Sequence, residues 1–191
     1  MNLFKENTPL QQIELPLLTE HNVKLFIKRD DLIHPEVSGN KWRKLKYNIE
    51  KAKQEKKDAI LTFGGAYSNH IAATAAAGNI KRLKTIGIIR GDELANKPLN
   101  KTLSRAKEQG MDLHFVSRED YQARHEEWYL ADLAMKHQNT LIVPEGGANY
   151  YGVAGCAEIV PEIGIDFAII ATACGTGTTL AGIISALKPH Q

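Results

Sequence analysis

The sequence has 191 residues, of which 43% are hydrophobic and 24% are charged, and its net charge is +2. This composition is typical of a folded globular protein, and the near-balance of charges gives no indication of nucleic-acid binding. No stretch approaches the roughly 20 apolar residues of a membrane-spanning helix, and the N-terminus lacks the apolar run of a secretory signal, so we expect a cytoplasmic protein.

Short apolar runs alternate with segments of helical periodicity along the chain. Six runs have the length of strands, and several are rich enough in β-branched and aliphatic residues to be buried on both faces: Val23–Ile27, Ala59–Phe63, Thr85–Ile89, Leu113–Val116, Thr140–Val143 and Phe167–Ala171. Helices are predicted over residues 41–56, 69–77, 98–109, 119–137 and 150–160, and from Thr178 onwards. This alternation predicts an α/β fold with open, mostly parallel sheets and helices on both faces.

The first segment of chemical interest, residues 38–45, combines a glycine with two lysines. Gly39 permits a tight turn, and Lys41 and Lys44 are three residues apart, so they share one face of the helix that follows. One amine could bond an aldehyde while the other pairs with a phosphate. Spacing alone favours the simpler interpretation, a basic amphipathic helix with solvated lysines.

The second segment, residues 64–70, joins a strand to an alanine-rich helix through two glycines. Ser68 is a good N-cap, and Gly78 is placed to follow the last residue of the helix. Free N–H groups at the start of this helix would suit a carboxylate. An equally good interpretation is that Ser68 and Asn69 only cap the helix.

The third segment, residues 172–182, follows a predicted strand and opens the last helix. Its backbone N–H groups and threonine hydroxyls could bind a phosphate. It departs from the dinucleotide pattern G-x-G-x-x-G because Leu180 stands in place of the third glycine. A phosphate ligand of mononucleotide size therefore suits it better than NAD.

Three further features receive structural interpretations. Residues 144–147 (PEGG) are predicted to form a turn, and residues 29–31 (RDD) a charged turn that holds the loop carrying Lys41. Cys156 and Cys174 lie in unlike contexts without metal-ligand spacing, so we expect two reduced thiols and no metal site.

Five segments in order carry a resemblance to a known family. They are residues 28–31 (KRDD), 38–45 (SGNKWRKL), 64–70 (GGAYSNH), 144–147 (PEGG) and 175–179 (GTGTT). Together they resemble the 1-aminocyclopropane-1-carboxylate deaminase and D-cysteine desulfhydrase family of fold-type II, tryptophan synthase β-like enzymes. The resemblance implies that pyridoxal 5′-phosphate is the cofactor and that a small amino acid is converted into ammonia and a 2-oxo acid.

The resemblance also implies roles for individual residues. Lys41 matches the Schiff-base lysine, and Lys44 matches a lysine that contacts the cofactor phosphate. Asn69 matches the residue that hydrogen-bonds the pyridine O3′, while Ser68, Asn69 and His70 lie where the substrate carboxylate is held. Ser68 also matches a residue that aids proton transfer or nucleophilic attack. The phosphate loop is matched by Gly175, Thr176, Gly177, Thr178 and Thr179.

Substrate preference and assembly follow from the same resemblance. Histidine after the Ser-Asn pair is more typical of desulfhydrases, so His70 favours D-cysteine, with sulfide, pyruvate and ammonia as products. Residues 1–45 and 160–191 would form part of the cofactor domain, and residues 46–159 a smaller inserted domain. Family members are homodimers and are longer than this chain, so we expect a C-terminally truncated form.

Two other functions remain open at this point. One is a non-catalytic remnant that retains the phosphate-binding loop and acts by binding a ligand or a protein. The other is a nucleotide-dependent α/β enzyme that uses the loop at Gly175.

Overall fold

The computed structural model describes residues 3–5 and 7–188 and contains two sheets. The strands are β1 (Leu10–Ile13), β2 (Leu25–Lys28), β3 (Ala59–Gly64), β4 (Lys84–Arg90), β5 (Met111–Val116) and β6 (Thr140–Val143). The helices are α1 (Pro16–Glu20), α2 (Asn40–Gln54), α3 (Asn69–Lys81), α4 (Lys101–Glu108), α5 (Arg118–Gln122), α6 (Glu127–Lys136), α7 (Tyr150–Ala157), α8 (Ile159–Ile163) and α9 (Thr178–Ala186). Residues 1, 2, 6 and 189–191, which belong to the expected cofactor domain, lie outside the described residues.

The larger sheet confirms the expected α/β class. Its four strands are parallel in the order β5-β4-β3-β6, and all six residues of β3 are buried, as expected for a central strand covered on both faces. The chain moves outward from β3 through β4 to β5 and then returns to β6 on the other side of β3. The strand order therefore reverses between β3 and β6, the position where open α/β sheets bind ligands.

The smaller sheet corrects the prediction for residues 23–27. β2 pairs antiparallel with β1, in the register Leu10 to Lys28, instead of joining a parallel sheet. Leu25 and Ile27 remain 42% and 45% exposed. An apolar run indicates a strand but not its partner, and β1 was not predicted because two glutamines form its centre.

The predicted strand at residues 167–171 is not formed. No strand lies beside it among residues 3–5 and 7–188, so its backbone has no ladder to join, and Ile169 is 86% exposed. A strand requires hydrogen bonds to a neighbour, which no local pattern of residues supplies.

The helices differ from prediction mainly at their ends. Predicted helix 119–137 is divided into α5 and α6 by a turn at residues 123–125, and predicted helix 150–160 into α7 and α8. Gly78 lies inside α3 rather than after it, because the left-handed residue that ends the helix is Arg82. The glycine instead permits close packing, since an added Cβ would lie 2.9 Å from the Leu83 carbonyl oxygen. Within the described part of the chain, no helix is both long and apolar enough to cross a bilayer.

Close helix packing brings the start of α9 next to the start of α2. α7 packs against both helices. Gly155 of α7 faces the backbone of Arg43 on α2, and Gly182 of α9 faces α7, where an added Cβ would lie 2.7 Å from the Val153 carbonyl oxygen. These glycines allow backbones to approach more closely than side chains would permit.

Candidate active site

One cavity of about 440 Å³ opens where β3 and β6 end and where α2 and α9 begin. Nine of the ten predicted site residues line it, and the exception is Thr178. The rest of its lining consists of Asn40, Glu145, Gly146, Ala173, Cys174 and Leu180. The cavity lies at the reversal of strand order, so the topology of the sheet brings together segments that are far apart in sequence.

The amine of Lys41 is linked to the glycine–threonine loop by one side chain. Lys41 Nζ donates to Asn40 Oδ1 over 3.0 Å, and Asn40 Nδ2 donates to Thr179 Oγ1 over 2.7 Å. Burial lowers the pKa of Lys41 below its ordinary value. The amine of Lys41 therefore loses its proton, and becomes nucleophilic, more readily than that of an exposed lysine.

Lys44 lies one helical turn further along α2 and is buried. Its Nζ is 3.4 Å from Thr176 Oγ1. Burial and the neighbouring Lys41 lower the pKa of Lys44. Among the described residues no carboxylate pairs with either lysine, so this end of the cavity is electrostatically suited to an anion.

The loop at residues 175–179 presents its backbone to the cavity. A Cβ added at Gly175 or Gly177 would meet no atom within 4 Å, and Gly177 has a positive φ of 77°. α9 begins immediately afterwards, so the first N–H groups of a nine-residue helix are directed here. Thr178 supports the loop from outside the cavity through a 2.9 Å contact between its hydroxyl and that of Thr176.

A second helix start, that of α3, forms another wall. Ser68 is its N-cap, and Ser68 Oγ accepts a hydrogen bond of 3.3 Å from the Ile71 N–H. The Ser68 hydroxyl proton is thus left available for another acceptor. Gly64 is needed for this turn, because an added Cβ would lie 2.7 Å from Ser68 Oγ.

His70 differs from Ser68 and Asn69 because its side chain is almost completely buried. Its Nε2 lies 3.0 Å from Thr62 Oγ1, which donates to the Val143 carbonyl oxygen over 2.8 Å. The hydroxyl proton is used in that second bond, so Nε2 carries the ring proton and Nδ1 is an acceptor, with no partner among the described residues. Burial and the nearby lysine amines lower the pKa of His70 to about 3, so the ring is neutral.

The turn after β6 contributes more to the site than its sequence indicated. Glu145 and Gly146, interpreted from sequence as structural, both line the cavity. Glu145 Oε2 accepts a hydrogen bond of 2.8 Å from Arg124 Nε. A Cβ added at Gly146 would lie 2.6 Å from Thr176 Cγ2, so this turn packs directly against the loop at residues 175–179. The sequence signal that could have identified Glu145 and Gly146 as site residues was a predicted strand followed closely by two glycines.

An ionic cluster around the buried Arg43 anchors α2. Arg43 donates to Asp30 Oδ1 over 2.9 Å and to both Glu162 oxygens over 2.9 and 2.8 Å. The guanidinium group helps to hold the pKa values of both carboxyls below their ordinary range despite the opposing effect of burial. The interpretation of the charged turn as a support for the Lys41 loop is consistent with these contacts.

Comparison with known proteins gives this cavity a chemical context. The sequence matches the family described as pyridoxal-phosphate dependent enzyme over residues 1–191. It is 34% identical, over 92% of its length, to the bifunctional D-cysteine desulfhydrase/1-aminocyclopropane-1-carboxylate deaminase, mitochondrial, of Arabidopsis thaliana. It is 32% identical, over its whole length, to a putative 1-aminocyclopropane-1-carboxylate deaminase of Thermotoga maritima.

Comparison with a solved structure points to the same group of proteins. The crystal structure of an ACC deaminase homologue superimposes with a TM-score of 0.78 and 29% identity, over 96% of this chain and 57% of that one. The chain spans 48% of the Arabidopsis protein and 63% of the Thermotoga protein. The family match covers every residue, and the chain therefore belongs to the pyridoxal-phosphate dependent enzyme family.

Proposed function

We propose that this chain binds pyridoxal phosphate through Lys41 and contributes to an enzyme that releases ammonia and a 2-oxo acid from a small amino acid. D-cysteine desulfhydrase and 1-aminocyclopropane-1-carboxylate deaminase are the activities it would resemble. One observation carries this proposal: the Lys41 amine and the loop at residues 175–179 face one cavity and are joined through Asn40.

The residues of the cavity fit the cofactor in charge and in donor chemistry. Lys44, buried without a carboxylate partner among the described residues, would pair with the phosphate, whose oxygens would accept from the N–H groups at the start of α9. The loop residues Gly175, Thr176, Gly177 and Thr179 would surround that phosphate. The unpartnered Nδ1 of the buried His70 leaves an acceptor that a bound ligand or a water could satisfy.

Lys41 would have two roles, one after the other, during the reaction. When bound, the cofactor would supply an electron sink that stabilises negative charge at the α-carbon of the substrate. Lys41 would hold the cofactor covalently, and its amine, when free, would accept and return a proton. The lowered pKa of Lys41 favours the unprotonated form that both functions need.

The start of α3 would hold the substrate. Its N–H groups together with Ser68 and Asn69, which both line the cavity, are suited to a carboxylate. From the family resemblance we expect Asn69 also to contact the O3′ of the cofactor ring. Ser68 keeps a hydroxyl proton that it can donate, since its lone pair caps the helix. The neutral His70, held by Thr62 through Nε2, would accept a hydrogen bond through Nδ1.

Several wider properties belong to the same proposal. We expect residues 1–45 and 160–191 to contribute to a cofactor domain and residues 46–159 to a smaller domain, although the boundary at 45 falls inside α2. A homodimer is expected from the family resemblance, and sedimentation analysis would test it. The two free cysteines support a reducing compartment such as the cytoplasm.

Covalent labelling tests the proposal directly. The purified protein would be incubated with pyridoxal phosphate, reduced with borohydride and digested, and mass spectrometry should find the label on Lys41. Lys41→Ala should abolish the visible absorption band of the lysine-bound cofactor. Lys53→Ala, an exposed lysine on the same helix, should retain it. Labelling spread over other lysines, or a band that survives Lys41→Ala, would refute the proposal.

A further inference from the structure

A second cavity of about 360 Å³ lies at the carboxyl ends of β3, β4 and β5. It is lined by the loop after β3 (residues 65–67), by the segment after β4 up to Leu103, and by Arg118 after β5. It shares no lining residue with the first cavity. Parallel α/β sheets place ligand-binding groups at this edge, so the position itself suits a small molecule.

The charge of this second cavity is strongly positive. Arg90, Lys97 and Arg118 line it, against Glu93 as the acidic lining residue. Glu93 forms an ion pair with Arg118, in which 2.6 Å separates Glu93 Oε1 from Arg118 Nη2. Arg90 and Lys97 form no ion pair with any of the described residues. With three cations against one carboxylate, the lining carries excess positive charge, although Arg118 and the nearby Lys97 both lower the pKa of the Glu93 carboxyl.

The rest of the lining is apolar, with one further electropositive group. Leu94, Leu99 and Leu103 form one side of the cavity. Asn100 caps the eight-residue helix α4 by accepting from the Leu103 N–H over 2.9 Å, so the positive end of that helix dipole lies here. A ligand with an anionic group and a short apolar body would match both parts of the lining.

We propose that this cavity binds a small organic anion, a carboxylate or a phosphate ester of metabolite size, and that the bound anion acts on the first cavity through the loop between them. Asn100 Nδ2 donates to the Ala66 carbonyl oxygen over 2.9 Å, and Ala66 is two residues before Ser68. An anion held by Arg90 and Lys97 would contact the loop at residues 65–67 and would thereby change the geometry of the N-cap at Ser68. The site does not depend on the function proposed for the first cavity.

Anion titration of the purified protein tests this site. Succinate and inorganic phosphate serve as the two probes, each against sodium chloride at equal ionic strength, with binding followed by calorimetry and by amide chemical shifts. Lys97→Ala and Arg90→Gln remove cavity cations. Lys107→Ala removes an exposed cation of α4 that does not line the cavity, and Lys44→Ala disables the anion-binding end of the first cavity.

We expect saturable binding that weakens about tenfold in Lys97→Ala and in Arg90→Gln, as for loss of a charged hydrogen bond. Lys107→Ala should bind as the parent protein does, and the shifts should centre on residues 65–67 and 90–100. Lys44→Ala should keep the parent affinity at these residues, although it weakens phosphate binding in the first cavity. The tighter of the two probes identifies the anion as carboxylate or phosphate. Three outcomes would each overturn the proposal: no saturable shifts at residues 65–67 and 90–100, equal affinity at these residues in Lys97→Ala and the parent, or loss of these shifts in Lys44→Ala.

Discussion

The amide of Asn40 donates a hydrogen bond of 2.7 Å to the hydroxyl oxygen of Thr179, although 139 residues separate them in sequence. The same amide group accepts from the amine of Lys41 over 3.0 Å. One side chain thus sets the position of the proposed cofactor-binding amine relative to the loop proposed to hold the cofactor phosphate. Loss of this link should affect binding more than stability.

Asn40→Ala should lower the affinity for pyridoxal phosphate about tenfold and the free energy of unfolding by about 1 kcal/mol, the usual net value of such hydrogen bonds. Cofactor titration and urea denaturation measure the two effects. Asn79→Ala removes an exposed amide that donates to Gln109 and should leave the affinity unchanged. Equal affinities in both variants would show that the link does not organise the site.

Gly146→Ala should damage the site through contact, and Gly164→Ala provides a control for backbone strain. Their φ angles are 67° and 68°, so each substitution should cost about 1 kcal/mol of stability. Only at Gly146 would the new methyl group meet Thr176, 2.6 Å from its Cγ2. We therefore expect Gly146→Ala alone to weaken cofactor binding, which fluorescence titration of both variants can measure.

Lys44→Met should separate phosphate binding from ring binding. We expect the affinity for pyridoxal phosphate to fall about tenfold or more, while that for pyridoxal, which lacks the phosphate, stays the same. The free protein should become more stable, because a buried cation without a carboxylate partner is replaced by an apolar side chain. Lys53→Met on the exposed face of α2 should do neither. Equal losses for both ligands would contradict the assignment of Lys44 to the phosphate.

His70 should make stability depend on pH. Its pKa is 6.5 ordinarily and about 3 in the folded protein, lowered by burial and by Lys41 and Lys44. Between these values the unfolded chain binds a proton that the folded protein does not. The stabilising contribution is therefore complete above about pH 6.5 and falls by about 1.4 kcal/mol per pH unit as the pH decreases towards 3.

The His70→Gln variant checks this dependence by urea denaturation between pH 7 and about pH 4.5, where most carboxyls remain ionised. Its stability should fall less steeply than that of the parent protein over this range. His125→Gln replaces an exposed histidine and should keep the parent slope. Parallel slopes in His70→Gln and the parent would mean that His70 is protonated in the folded protein.

Arg43→Met should be destabilising, by about 3 kcal/mol, because it leaves Asp30 and Glu162 as half-buried carboxylates with Lys28 as their remaining ion-pair partner. Arg29→Met removes the arginine of an exposed pair with Asp31 and should have no measurable effect. Denaturation curves of the two variants give the comparison. Similar stabilities would show that the cluster around Arg43 does not anchor α2.

Local sequence signals were sufficient for much of the architecture. The strands at residues 59–64 and 140–143 are buried apolar runs, and Ser68 and the glycines at 175 and 177 carry capping and turn preferences that act over a few residues. Such preferences depend on nearest neighbours along the chain, so they can be predicted without knowledge of the fold.

The tertiary structure determined which segments lie together and whether their side chains are buried, charged or neutral. The residues around 167–171 do not reveal whether a neighbouring strand is present. The residues around Glu145 do not reveal that its turn lines the cavity. The unpartnered Nδ1 of His70 and the link from Asn40 to Thr179 arise from contacts between distant segments. The sequence alone predicted the class of fold, and its resemblance to a known family proposed Lys41 and Lys44 as the residues that meet an aldehyde and a phosphate. Burial, charge state and mutual distance depend on long-range packing, so only the folded chain defines them.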